Sequence, residues 1–232
     1  MKANEVVLLV LAVFLICSAG AALAATNLVV NGSFELADPA RADAPLGWDI
    51  PDGLGVQWTN ASSGHSRAIH MDTRVPEIAM NASWVRAGLT NDWFIPHAAG
   101  NAIAETYGLS YYSAPFAVAS GVTYRVSADV WGPAGAKIWV RGYGQFRGKL
   151  TRRYETVLNC YGSGEAWRTC TQDFNPTRHR PEITEMRVML FAYYPAGIYW
   201  FNNVRVEAVD DKDVGGQKSE VSQPPATIHP SP

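Results

Sequence analysis

"GIYWFNNVRVEAV" (197–209) decides the fold. Aromatic and β-branched side chains crowd it, the composition of a strand. Asn202 and Asn203 interrupt it, and asparagine is a poor strand residue. Yet Val204 and Val206 continue one face beyond them. The stretch therefore predicts a strand that survives its asparagines, and the asparagines need a purpose.

The same kind of signal repeats upstream. "GVQWT" (55–59), "RAIHM" (67–71), "SAPFAV" (113–118), "TYRVSADVW" (123–131), "KIWVRGYGQ" (137–145), "RRYETVLN" (152–159), "WRTCTQDF" (167–174) and "MRVMLFAYY" (186–194) all read as short strands bounded by Gly, Pro, Asn or Asp. No segment carries a sustained helical stripe. Many strands with turns between them predict a two-sheet sandwich or a barrel.

Alternation assigns faces. Tyr124, Val126, Ala128 and Val130 read as core, as do Ile138, Val140, Val188 and Leu190. Trp139, Arg141, Tyr143 and Gln145 take the opposite side of their strand, and Arg187, Met189, Phe191 and Tyr193 the opposite side of theirs. A purely solvated face rarely gathers so many aromatics.

The chain ends read differently from its middle. Lys2, the apolar run at 6–16 and Ala22-Leu23-Ala24 form a secretory signal, so residues 1–24 are expected to be removed and the protein secreted, with no membrane attachment afterwards. Cys160 and Cys170 then remain, and two cysteines in an exported chain favour a disulfide. Residues 25–209 form the predicted domain, with a long insertion at 73–108 carrying Trp84, Trp93, Phe94 and His97. Residues 210–232 are polar and rich in Pro and Gly, the composition of a disordered tail. The formal net charge of −2 gives no global field for nucleic acid. A local excess exists in Lys137, Arg141, Arg147, Lys149, Arg152 and Arg153.

The order of motifs resembles the calcium-carrying jelly-roll carbohydrate-binding modules of the galactose-binding-like class (the family 4, 9 and 22 type). "NLVVNGSFE" (27–35), "PLGW" (45–48), "SGHSRAIHM" (63–71), "PFAVASGVTYRVSADV" (115–130), "AWRTCTQDFNP" (166–176) and the closing stretch fall in the family's sequence. The resemblance implies an all-β, antiparallel two-sheet jelly roll, with 113–118, 137–145, 152–159 and 186–194 in one sheet. It also implies a glycan cleft on the concave face of that sheet. Alternation had already put Trp139, Arg141, Tyr143, Gln145, Arg187, Phe191 and Tyr193 there. Aromatic rings cover the apolar faces of sugars, and Arg and Gln hydrogen-bond the hydroxyls. Arg141 and Arg187 also admit a uronate or sulfated chain through bidentate contacts. A neutral glycan stays open as the alternative.

In the family a structural calcium is held by the glutamate of the "FE" motif and an aspartate of the closing strand. Here those positions are Glu35 and Asn202, which implies a weakened calcium site. No G-x-S-x-G, H-E-x-x-H or Cys–His signature is present, and His65, His70, His97 and His179 are scattered, so no catalytic residue is expected. The expected function is a secreted, non-catalytic protein that binds a polysaccharide or a cell-surface glycan. A surface or matrix interaction protein using the same sandwich without a sugar site is the alternative.

Overall fold

The computed structural model describes residues 26–61, 65–86, 100–105, 108–161, 164 and 166–209. The signal segment, the tail and much of the insertion, with Trp93, Phe94 and His97, lie outside the described residues. The elements in chain order are β1 (Ala37–Asp38), β2 (Arg41–Pro45), β3 (Val56–Asn60), β4 (Arg67–Asp72), α1 (Glu77–Arg86), a 3-10 turn (Ile103–Glu105), β5 (Leu109–Tyr112), β6 (Phe116–Ala117), β7 (Tyr124–Trp131), β8 (Ala136–Phe146), β9 (Lys149–Cys160), β10 (Arg168–Phe174), β11 (Ile183–Ala192) and β12 (Ile198–Ala208). One sheet has the order β10-β7-β12-β4-β3. The other has the order β5-β11-β8-β9, with β6 also on β11. Each described strand pair is antiparallel. The chain is an all-β jelly-roll sandwich, as the sequence leads one to expect.

The inner faces of both sheets supply the core. Val126, Ala128, Tyr199, Phe201, Val204 and Val206 come from the first sheet, and Ile138, Val140, Val188 and Leu190 from the second, all fully buried. At roughly 25 cal/mol per Å² of apolar surface, each large side chain contributes about 1.5–3 kcal/mol.

The closing strand explains its asparagines. Inward positions are odd up to Phe201 and even from Val204 onward. The change of parity is a bulge: between Asn202↔Asp129 and Arg205↔Ser127, β12 carries one more residue than β7. Asn203 sits in the left-handed region at φ 48°, which asparagine tolerates better than most residues. The ladder between β12 and β4 stops at Phe201↔Ile69. There the buried Asn202 amide takes over and donates to the Arg67 carbonyl. Beyond the bulge the amino-terminal segment replaces β4: Leu28 N–H donates to Val206 O at 2.8 Å and Val204 N–H to Gly32 O at 2.9 Å. Gly32 is required at that approach, because a Cβ would lie 1.8 Å from Val204 O.

Three expectations are corrected. The strand expected at 113–118 is reduced to Phe116–Ala117 (β6), because Pro115 has no N–H for the ladder, and a separate strand, β5, ends just before it at Tyr112. A helix, α1, stands where no helical stripe was read; among its described side chains Glu77 and Met80 are fully buried, and one of these two is charged, so no apolar period shows. Cys160 and Cys170 are free thiols rather than a disulfide. They nevertheless meet, Cys160 at the end of β9 and Cys170 on β10, where the edges of the two sheets approach. Their mutual hydrogen bond, with burial, pushes the Cys160 thiol up. The same hydrogen bond pulls Cys170 down.

Candidate functional site

The outward face of the β5-β11-β8-β9 sheet is built by strict alternation. Along β8, Lys137, Trp139, Arg141, Tyr143 and Gln145 point away from the core, while Ile138 and Val140 point into it. On β11 the outward residues are Arg187, Met189 and Phe191, and on β9 they are Glu155, Val157 and Asn159. Register then forms rows across the sheet. Tyr112, Met189, Trp139 and Val157 make one row; Arg187, Arg141 and Glu155 make the next.

The seven residues expected at the site share this face but are not one cluster. Trp139, Arg141 and Arg187 stand together in its middle. Phe191 and Tyr193 stack at one end, 6.0 Å apart and 18° from parallel. Tyr143 lies toward the other end, beside Glu185 and Arg152. Gln145 is exposed past the end of β11, opposite Leu150 in the β8–β9 hairpin. Lys137 and Gln145 are eight residues apart, ~27 Å at about 3.4 Å per residue. A stripe of that length suits a chain of several sugar residues better than a single one.

Both arginines are already engaged. Arg141 Nε–H donates to Glu155 Oε2 at 2.9 Å, and its Nη1 donates to the Tyr112 hydroxyl. Arg187 Nε–H donates to the Ser113 carbonyl at 2.7 Å and its Nη2 to Asp49 Oδ1 at 3.1 Å. Burial pushes the Asp49 carboxyl up while Arg187 pulls it back. Both guanidinium groups lie over Tyr112, at 5.6 Å and 5.1 Å from its ring centroid. Part of the basic rim is paired as well: Arg152 meets Glu155, which it shares with Arg141, and Arg153 meets Glu182. These arginines therefore orient an aromatic surface and offer little uncompensated charge to an anion. The indole N–H of Trp139 is buried without a hydrogen-bond partner.

Tyr112 was not among the residues read from the sequence. Tyr111 is a core residue at 3% exposure, stacked on Trp48, and its neighbour faces out. The alternation of "LSYY" (109–112) carries that signal, hidden by the misplaced strand.

Glu35 and Asn202, the residues expected at a calcium site, both make hydrogen bonds within the protein. Glu35 Oε1 accepts from Ser66 Oγ at 2.5 Å and from Arg67 N–H at 3.3 Å. Asn202 turns its N–H toward the Arg67 carbonyl, and its oxygen accepts from the Asn203 N–H. A cation needs oxygens there, not a donor. Among the described residues, no group of three or more His, Cys, Asp or Glu side chains is placed to hold a metal.

No protein-family model matches the chain, and no curated protein matches it either. Solved structures do. A family 16 carbohydrate-binding module is 15% identical, with TM-score 0.46, over 78% of this chain and 99% of that one. The CBM22-1 xylan-binding domain of Paenibacillus barcinonensis Xyn10C is 12% identical, with TM-score 0.42, over 76% and 91%. The chain is similar to jelly-roll carbohydrate-binding modules. A Stig cyclase from Fischerella sp. TAU is also similar, at 16% identity and TM-score 0.47, over 80% and 98%. These are likenesses of chain path at low identity, and the site stands on its own geometry.

Proposed function

We propose that this chain is an extracellular, non-catalytic protein that binds a neutral polysaccharide along the outward face of the β5-β11-β8-β9 sheet. The observation that carries this is the concentration of Tyr112, Trp139, Tyr143 and Phe191 on one face of rigid strands, with Tyr193 stacked on Phe191 just past β11 and the central arginines Arg141 and Arg187 held in ion pairs. Rings on strands are preorganised, so weak stacking contacts are made at little entropic cost. Stacking covers the apolar faces of the sugars, and Gln145, Asn159 and the Tyr hydroxyls meet the hydroxyl edges. Paired guanidinium groups favour a neutral chain over a uronate or sulfated one.

The test is retention in affinity gels containing neutral polysaccharides, for the wild type and for Trp139→Ala with Tyr143→Ala. A loss of at least about 1.4 kcal/mol, tenfold in affinity, is expected for the double variant. Equal retention of wild type and variant would sink the reading.

A further inference from the structure

The opposite side of the sandwich carries a second aromatic stripe. On the outward face of the β10-β7-β12-β4-β3 sheet, Trp131 pairs across strands with Trp200, Trp200 with His70, and His70 with Gln57. Trp131 and Trp200 are stacked, 6.3 Å apart and 20° from parallel. Trp167, just before β10, extends the row at 6.4 Å from Trp131. His70 closes the other end, 4.6 Å from Trp200. All four side chains are only partly buried. We propose that this row is a second binding face for a neutral polysaccharide chain lying across the strands.

Three features point to that occupant. The rings advance about one per strand, and neighbouring strands are about 4.8 Å apart, the order of length of one pyranose unit. The charged side chains around the stripe leave no positive surplus: Asp72 pairs with Arg74 at 2.8 Å, Arg125 with Asp173 at 2.7 Å and Arg205 with Glu207, and Asp129 keeps its negative charge while accepting from Thr169 and Asn203. Nucleic acid or an anionic surface therefore meets no net positive field, whereas uncharged hydroxyls lose nothing. Finally, His70 Nδ1 is buried without a partner at the end of the row. Among the described residues the other buried side-chain nitrogens or oxygens without a partner are Arg67 Nε, on an arginine stacked over Trp58, and Trp139 Nε1, in the first stripe. Two of the three therefore lie in the two aromatic stripes. Burial holds the His70 imidazole toward its neutral form, able to donate from one nitrogen and accept at the other.

This inference extends glycan binding to a second face, and the two faces are separable by variant. The mature chain is run in affinity gels of xylan, β-1,4-galactan and mixed-linkage β-glucan, with thermal melts in parallel. In a Trp139→Ala, Tyr143→Ala background, retention should persist on at least one polymer. Adding Trp200→Ala should weaken it at least threefold, and Trp200→Phe should restore most of it. Retention lost by Trp200→Ala alone and untouched by Trp139→Ala upholds this face and removes the first. The proposal is overturned if the Trp139 background retains nothing, or if Trp200→Ala lowers the melting midpoint with retention unchanged. It is equally overturned if sedimentation shows a dimer that Trp200→Ala dissociates, for then the stripe is a contact between copies.

Discussion

Asn202 sits where β4 leaves the ladder and the amino-terminal segment has not yet joined it. A backbone carbonyl at that gap, that of Arg67, needs a donor, and the asparagine amide supplies it. The same group that departs from the calcium pattern thus does structurally what a cation would do electrostatically. Replacing it with aspartate sets an anionic oxygen against a carbonyl oxygen in a buried place. Asn202→Asp is expected to cost about 1–3 kcal/mol, read as a fall of about 2–4 °C in melting midpoint for each kcal/mol. Added calcium should return part of that loss in the variant, where a second anionic oxygen joins the carbonyl. The wild-type midpoint should be unmoved by chelator or by calcium. A wild-type midpoint that falls with chelator would show that a bound ion, not the amide, closes the gap.

At the scale of elements, legibility followed from how strongly one face was buried. Strands β7 and β8 announce themselves because each alternates on a buried inner face, and that alternation is what read Trp139, Arg141 and Tyr143 as outward. Strand β5 was lost because its four residues end in two tyrosines of opposite fate, and Pro115 blurred where pairing stops. The meeting of Trp131 and Trp200 was not legible: cross-strand registry between β7 and β12 is a property of the fold. The cysteines show the same limit. Sequence brings them ten positions apart, while only the fold shows that they join the free edges of opposite sheets, β9 and β10. Oxidation of this pair should staple the sandwich across its open edge and add about 2–3 kcal/mol. Mass spectrometry without reductant, and melts with and without dithiothreitol, test this. An oxidised protein whose midpoint is no higher than that of the reduced form would mean the bridge strains the edge it spans.

For the whole molecule, charge is nearly balanced, at a formal net charge of −2, and most of the described arginines on the two outward faces are paired with carboxylates. Long-range steering of a polyanion needs a surplus of one sign over a patch wider than the Debye length, about 8 Å at 0.15 M salt. In the middle of the first stripe both arginines stand within hydrogen-bonding distance of a carboxylate, and the cations Lys137, Arg147 and Lys149, unpaired among the described residues, lie at its ends and in its hairpin. Stacking of sugar rings on Trp and Tyr carries no ion to be screened. Affinity for a neutral polysaccharide is therefore expected to change less than about twofold between 0.01 and 0.15 M salt. A uronate or sulfated polymer should bind no better than its neutral counterpart at either concentration, since binding it means competing with Glu155 and Asp49 for Arg141 and Arg187. A steep loss of binding over that range, or selective retention of the acidic polymer, would mean that those pairs open for a ligand and that the arginines are its recognition groups.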